Sequence, residues 1–259
     1  AIDWLREKGI ASAQKKSGRI AAEGTTNILV DGNKAVIIEI NSETDFVAKN
    51  TQFVELVNTL SRVILDENPA DLDAALALEV DGQSIDTLVT SATATIGEKI
   101  TLRRFEVVTK EDAQTFGSYI HMGGKISAIT IVDGSEDVAR DIAMQVASMS
   151  PQFVSQKDIP ADVIDHETNI QVEIINNDAS LADKPEQVIQ GIIKGRVSKT
   201  MQDISLVDQI YFKDGKAKVA AFLKENNADV VMFVRYGLGE GIEKKVEDFA
   251  EEVAKAAQV

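Results

Sequence analysis

A buried strand followed directly by an amphipathic helix is the feature that most constrains this chain. Residues 35–40 (AVIIEI) are largely apolar and β-branched, which is typical of a buried strand. Phe53, Leu56 and Leu60 then recur at helical spacing. The sequence therefore predicts a strand packed against a helix, with residues 41–50 (NSETDFVAKN) at the junction between them.

The junction has a structural interpretation and a functional one. In the structural interpretation, Ser42 caps the helix and Asp45, three residues later, lies in its first turn, where an acid suits the helix dipole. Phe46 then enters the core. In the functional interpretation, Asp45 and Phe46 form a tip that meets a partner. Spacing alone favours the first, because capping signals are far commoner than functional tips.

The charge balance of the chain excludes several classes of partner. Its 259 residues include 27 Lys and Arg against 42 Asp and Glu, a net charge of −15. Such an acidic chain lacks the basic footprint of a nucleic-acid binder and has no attraction to an anionic membrane. No apolar run approaches the roughly 20 residues of a membrane span. We therefore expect a cytoplasmic protein with no nucleic-acid or membrane partner.

The residue types also disfavour an active site within this chain. Cysteine is absent and His121 is accompanied only by His166, so thiolate chemistry and a histidine-rich metal site are not available. The run GLGEG at residues 237–241 follows a strand, but its spacing is not that of a dinucleotide-binding turn, and no P-loop is present. We expect no enzymatic activity, no cofactor and no metal.

The same order of elements is predicted twice along the chain, as hairpin, helix and returning strand. The first unit is expected to contain a hairpin turning at residues 31–33, helices over 45–65, 70–78 and 84–96, and a strand over 99–108. The second is expected to contain a hairpin turning at residues 123–124, a helix that Ser135 caps and that carries Ile142, Val146 and Met149 on one side, and a strand over 230–236.

A long insertion interrupts the second unit. Two apolar stripes flank the polar residues 176–185, and helices bearing such stripes are expected to pair as an antiparallel hairpin that projects from the body. The stripes are Val163, Ile170 and Ile174 on one side, and Val188 or Ile189, Ile192 or Ile193, and Val197 on the other. A charged amphipathic helix, Glu243–Gln258, is predicted to follow the last strand.

Several segments, in one order along nearly the whole chain, resemble the elongation factor Ts family. Members of this family are bacterial guanine-nucleotide exchange factors of the GTPase elongation factor Tu. The segments are the opening residues 1–24, TDFVAK at 44–49, IGEKITLRRFE at 96–106, SYIHMGGKI at 118–126 and GEGIEKKVEDFAEEV at 239–253.

The resemblance favours the functional interpretation of the junction. It implies that Asp45 and Phe46 intrude near the Mg²⁺ site of elongation factor Tu. The residues that it assigns to this contact are Thr44, Asp45, Phe46 and Val47.

Further contacts with elongation factor Tu are implied elsewhere. Ile96 and Gly97 mark a helix end, where the glycine can serve as a cap and also face the partner. His121 lies in a hairpin turn in which Ser127 replaces the glycine usual in the family. Phe212 follows Tyr211 in an aromatic pair that is expected to be exposed, although the residues around it depart from the family pattern.

The expected fold is α+β, with two related antiparallel-sheet subdomains, an inserted helical hairpin and a C-terminal helix. The resemblance further implies that a ubiquitin-associated-like helical module precedes the core and that the hairpin supports a homodimer. The expected divisions are a remnant of that module with its linker (1–24), the core N-subdomain (25–110), the core C-subdomain (111–155 and 216–240), the hairpin (156–215) and the C-terminal helix (241–259).

Two functions follow from these observations. The resemblance predicts an exchange factor that binds elongation factor Tu·GDP and promotes GDP release by disrupting the Mg²⁺ and phosphate site. The alternative is an acidic coiled-coil adaptor that binds its partner without exchange activity.

Overall fold

A computed structural model of the chain describes residues 9–11, 13–181 and 184–243. The chain divides into two compact units. Unit 1 comprises the described residues within 1–109, 120–127 and 236–259, and unit 2 those within 110–119 and 128–235. Most of the predicted C-terminal helix and residues 1–8 of the predicted N-terminal remnant lie outside the described residues.

The described chain is a mixture of helices and antiparallel sheets, which confirms the predicted α+β class. The strands are β1 (Glu23–Asp31), β2 (Lys34–Ser42), β3 (Glu79–Val80), β4 (Gln83–Ser84), β5 (Thr101–Thr109), β6 (Thr115–His121), β7 (Ile126–Asp133) and β8 (Asp229–Gly237). The helices are α1 (Thr51–Glu67), α2 (Leu72–Ala77), α3 (Ile85–Ile96), α4 (Glu136–Met149), α5 (Ala161–Asn176), α6 (Glu186–Asp203) and α7 (Val219–Glu225). Within the ranges described, no helix combines the length and apolarity that crossing a membrane requires.

Unit 1 is built on an antiparallel sheet in which β2 lies between β1 and β5. Every residue of β2 after Lys34 is buried, as the run of β-branched residues predicts. Ile38 and Ile40 of this strand share a core cluster with Phe53 and Leu60 of α1. The predicted packing of strand against helix is confirmed.

Helix α1 begins at Thr51, so the predicted start near Asp45 and the predicted cap at Ser42 are wrong. Asn50 is the N-cap, and its side-chain oxygen accepts from the amides of Gln52 and Phe53 at 2.9 and 3.4 Å. Ser42 is still in β2, and its hydroxyl donates to the carbonyl of Thr44 at 2.8 Å. Asparagine and serine are about equally favourable as N-cap residues, so residue type alone does not decide between Ser42 and Asn50.

The remaining elements of unit 1 agree with the predicted order, with one addition. Gly97 ends α3 in the left-handed region (φ 88°), which confirms the predicted cap. The unpredicted element is the short hairpin β3–β4, which turns at Asp81 and Gly82 with φ of 51° and 76°. An Asp-Gly pair suits such a turn, but two-residue strands are too short to leave an alternating pattern.

Helix α4 of unit 2 follows β7 in sequence, and β7 is the middle strand of a sheet of order β6-β7-β8. Ser135 caps α4 as predicted, accepting from the amide of Val138 at 3.4 Å. Of the three apolar residues predicted on one side of this helix, Ile142 and Val146 are buried, whereas Met149 is 47% exposed. Met149 is the last residue of the helix, where the chain leaves the packed face. Helix α7 was not predicted, because its seven residues are too few for a clear period.

The buried stripe of α5 differs from the prediction. Helices α5 and α6 share an apolar cluster that includes Ile175, Ile193 and Val197. The Thr200 hydroxyl of α6 donates to Glu167 of α5 at 3.0 Å. Ile170 and Ile174 are 37% and 47% exposed, so placing them in the stripe was wrong. The α5 residues that pack in the cluster are Val163, Ile164, Val172 and Ile175.

A buried carboxylate lies within the β2 strand. Glu39 is 0% exposed, and its oxygens accept from the guanidinium groups of Arg103 at 2.8 Å and Arg104 at 2.6 Å. The amide of Gly239 donates to it at 2.8 Å and the side chain of Asn41 at 3.1 Å. Burial raises the pKa of Glu39, but these donors together lower it, and the net pKa lies below its ordinary value. Glu39 therefore attaches the turn after β8 to the central strand of unit 1.

Replacing the Glu39 carboxylate is expected to destabilise the chain strongly. Glu39→Gln removes the buried carboxylate that pairs with Arg103 and Arg104 and leaves Arg104 only its longer contact with Glu240, at 3.6 Å. Losing one partner of a buried ion pair costs about 3 kcal/mol at the lower end of the usual range. The smaller loss of stability is expected because the side chains of Arg103 and Arg104 are 25% and 32% exposed. Urea unfolding at neutral pH measures the change. Glu79→Gln, on an exposed residue of β3, is the control, and equal stability of the two variants would contradict the role given to Glu39.

The same carboxylate predicts a dependence on acid pH. Because the pKa of Glu39 in the folded chain lies below the ordinary value of 4.5, its contribution to stability is complete above that pH and is lost as the pH falls through the folded pKa. Between about pH 5 and pH 3 the wild-type chain should therefore lose more stability than Glu39→Gln. Parallel losses in the two proteins would show that other carboxylates dominate acid unfolding.

Candidate functional site

Phe46 is exposed at the junction between β2 and α1. Its side chain is 83% accessible, and Asp45 beside it is also exposed. The two residues form a turn that leads into a single 3₁₀ turn at Val47–Lys49. The structural interpretation that placed Phe46 in the core is wrong. An aromatic side chain exposed to this extent is a candidate contact for a partner.

The residues on both sides of this turn are anchored in unit 1. Ser42, at the end of β2, is fully buried, and Val47 is 6% exposed within the unit 1 core cluster. The chain thus has four residues between two fixed points, which we call the tip loop (residues 43–46). The side chain of Val47 faces the core, so its contribution to the site is to fix the position of Phe46.

Thr44 uses its polar groups inside the chain. Its amide donates to one carboxylate oxygen of Glu98 at 2.8 Å, and its hydroxyl donates to the other at 2.6 Å. A carboxylate that accepts two such bonds holds the donor residue in one orientation. The sequence analysis did not single out Glu98, because local sequence patterns do not show which two loops will form hydrogen bonds with each other.

A second carboxylate joins the same two loops in the opposite direction. Glu43 in the tip loop accepts from the amide of Lys99 at 2.6 Å. Glu43 also pairs with Arg19 at 3.2 Å, and the ammonium group of Lys99 donates to the carbonyl of Arg19 at 2.9 Å. The segment before β1 is therefore tied to the tip loop as well.

The Thr44–Glu98 contact brings two predicted sites together. Gly97 precedes Glu98, is exposed and has its amide bonded to the carbonyl of Thr93 at 3.1 Å. Ile96 is half-buried and packs on the unit 1 core cluster. We call residues 97–99 the Gly97 turn. The tip loop and the Gly97 turn are hydrogen-bonded neighbours within unit 1.

The turn that contains His121 also belongs to unit 1 and exposes a residue that the sequence did not single out. Met122 is 73% exposed with φ of 49°, and the His121 carbonyl accepts from the amides of Gly124 and Lys125 at 3.2 and 3.1 Å. Methionine suits adaptable binding surfaces, so an apolar residue before two glycines was an available signal.

The His121 turn is fastened to β1. The amide of Thr26 donates to the carbonyl of Gly124 at 2.8 Å. The Thr26 hydroxyl lies 2.8 Å from the same carbonyl and 2.7 Å from the hydroxyl of Ser127, which is buried. The serine that departs from the family pattern thus makes a buried hydrogen bond from β7 to Thr26 of β1.

Phe212 lies in unit 2 and is half-buried. Tyr211 is buried, stacks on Phe222 with ring centroids 4.2 Å apart, and donates from its hydroxyl to Asp141 at 2.8 Å. The prediction of an exposed aromatic pair is wrong for Tyr211. Burial and the Asp141 carboxylate both raise the pKa of the Tyr211 hydroxyl, which keeps it a neutral donor.

The carboxylates that join the tip loop to the Gly97 turn are used within the chain. In the part of the chain that the structure describes, no three histidine, aspartate or glutamate side chains are grouped so that they could hold a metal ion. Glu43 and Glu98 are instead occupied by main-chain amides.

Comparison with known proteins identifies the family. The sequence profile described as Elongation factor TS matches residues 43–240. The chain belongs to the elongation factor Ts family. The match includes the tip loop, the Gly97 turn, the His121 turn and Phe212.

Relatives named elongation factor Ts align with nearly the whole chain. The protein of Leuconostoc mesenteroides subsp. mesenteroides is 52% identical over 257 residues, which cover 98% of this chain and 87% of the relative. That of Acholeplasma laidlawii is 50% identical over 255 residues, covering 98% and 86%. That of Oenococcus oeni is 46% identical over 256 residues, with the same coverage. Family membership therefore applies to both units, not to the tip loop alone.

Proposed function

We propose that the chain is a guanine-nucleotide exchange factor that binds elongation factor Tu·GDP and promotes GDP release during translation elongation. The observation that carries this proposal is the exposed Phe46, held between buried residues in the segment that matches the elongation factor Ts family. An exchange factor needs no chemistry of its own. It needs a surface that binds the nucleotide-free GTPase more tightly than the nucleotide-bound form.

In the proposed mechanism, Phe46 acts as a wedge. A GTPase holds Mg²⁺ and phosphates with loops, and a bulky group inserted among those loops weakens the ligand. Burying a phenylalanine is worth about 1.5–3 kcal/mol, which corresponds to roughly a 10- to 100-fold change in an equilibrium or a rate. This free energy can be gained when the partner binds, because Phe46 is exposed in the free chain.

Asp45 places a negative charge beside the wedge. It is exposed, and a carboxylate near a Mg²⁺ and phosphate site changes the balance of charge that holds the nucleotide. The Gly97 turn, the His121 turn and Phe212 are proposed as further contacts with the GTPase. Ile96 and Gly97 have the strongest geometric support, because the Gly97 turn is hydrogen-bonded to the tip loop.

The adaptor function differs from exchange in what Phe46 does. In an adaptor, Phe46 contributes affinity alone, and its removal loosens the complex without changing the rate of GDP release from the complex once formed. The family match favours exchange over the adaptor.

Phe46→Ala is expected to slow GDP release from the complex about 10- to 100-fold while leaving the fold intact. Fluorescent GDP leaving elongation factor Tu is followed by stopped flow at saturating concentrations of the chain. Phe46→Leu, which keeps an apolar wedge of smaller size, should lie between Phe46→Ala and the wild type. The control is Val30→Ala, because Val30 of β1 is also apolar and 41% exposed within unit 1. If the wild-type chain binds elongation factor Tu without speeding GDP release, and Phe46→Ala only weakens that binding, the adaptor is established instead.

We also propose that α5 and α6 form a projecting antiparallel hairpin through which the chain associates with itself. Ile170 and Ile174 of α5 and Val188 of α6 are exposed apolar residues outside the cluster that joins the two helices. Burying such residues between two copies is favourable by about 25 cal/mol per Å² of apolar area.

Negative charges on this exposed apolar surface of α5 are expected to prevent dimerisation of the chain. Ile170→Glu with Ile174→Glu is expected to shift the molar mass measured by light scattering from dimer to monomer, with exchange activity per chain measured in parallel. The matched control is Val231→Glu, on a similarly exposed residue of β8. A wild-type mass equal to one chain at all concentrations would contradict the proposal.

A further inference from the structure

The tip loop and the Gly97 turn exchange hydrogen bonds through two carboxylates. The amide and hydroxyl of Thr44 donate to Glu98, and the amide of Lys99 donates to Glu43. Each segment therefore supplies a main-chain donor to the other's carboxylate. Hydrogen bonds to a charged acceptor are roughly twice as strong as those between neutral groups.

In the tip loop these bonds are made by Glu43 and Thr44, the two residues that precede the exposed pair Asp45 and Phe46. Ser42 and Val47 fix the ends of the loop by burial, but Asp45 and Phe46 are exposed. Thr44 is the residue between the buried strand end and this exposed pair. Fixing its backbone and its side chain together restricts the direction in which the chain enters the Asp45–Phe46 turn.

We infer that Glu98 is a positioning residue for Phe46: by holding Thr44, it sets the direction of the wedge before the partner is met. This inference rests on the proposed exchange function. A group that is already ordered in its binding geometry avoids the conformational entropy cost of ordering at the interface. Glu98 acts through Thr44 and Phe46 rather than by touching the nucleotide or the GTPase.

This role predicts that Glu98 loses its effect when Phe46 is absent. Glu98→Ala should lower the rate of GDP release at saturation about fivefold. In the Phe46→Ala background the same substitution should change the rate less than twofold, because there is no wedge to position. Glu98→Gln keeps one acceptor oxygen and should fall between Glu98→Ala and the wild type. Glu79→Ala, an exposed glutamate of unit 1, is the matched control.

Amide hydrogen exchange of the free chain tests the positioning without reference to activity. The Thr44 amide should exchange at least tenfold faster in Glu98→Ala than in the wild type, while amides of β2 keep their protection. Thermal unfolding of Glu98→Ala close to that of Glu79→Ala would show that unit 1 remains folded.

Three results would overturn the inference, and they are distinguishable from failure of the proposed function. Unchanged exchange of the Thr44 amide in Glu98→Ala would show that Glu98 does not hold the loop. An equal loss of rate on removing Glu98 with and without Phe46 would show that Glu98 contacts the partner directly. A full rate for Glu98→Ala while Phe46→Ala is slow would show that burial alone positions Phe46. Failure of the exchange function itself would appear as GDP release that the wild-type chain does not accelerate.

Discussion

The buried central strand β2 is the constraint on which the structure of unit 1 depends. Its residues after Lys34 are all buried, and they include the carboxylate of Glu39. A charge in that position is tolerable only when it is paired and fully hydrogen-bonded. Two arginines of β5 and the amide of Gly239 satisfy it, so three segments distant in sequence are fixed around one side chain.

The same strand determines where the candidate wedge can be. Because β2 is buried through Ser42, the chain leaves the core at one defined point, and Val47 returns it to the core five residues later. The intervening residues must turn outward. The exposure of Phe46 is therefore a consequence of the burial on either side, and its direction is set by the bonds of Thr44 and Glu43 to the Gly97 turn.

Much of this arrangement could be predicted from residue patterns. The apolar run of β2, the stripe of α1, the cap at Ser135 and the turn at Gly97 follow from local rules and are present. The errors arose where local rules allow more than one solution. Ser42 and Asn50 can both cap a helix, and the register of β2 with β1 decided between them.

Tertiary contacts decided the features that the sequence did not predict. Ile170 and Ile174 lie on the exposed side of α5 because α6 packs against the neighbouring face. The hydrogen bonds of Thr44 to Glu98 join residues 54 positions apart, and no periodicity records such a pairing. Exposure of Phe46 likewise could not be separated from burial by spacing alone, since an apolar residue at that position suits both a core and an exposed turn.

The central claim is that burying Phe46 in the GTPase weakens the binding of nucleotide. The most direct measurement places a photo-crosslinking phenylalanine analogue at position 46 and maps its product with elongation factor Tu, with and without excess GDP and Mg²⁺. Linkage between two ligands is reciprocal. If insertion of Phe46 weakens nucleotide binding, nucleotide must weaken the insertion of Phe46 by the same factor. The account predicts crosslinks to the loops that hold Mg²⁺ and phosphate, with a yield that falls as GDP is added. Crosslinks to a surface away from those loops, or a yield that GDP does not change, would contradict it.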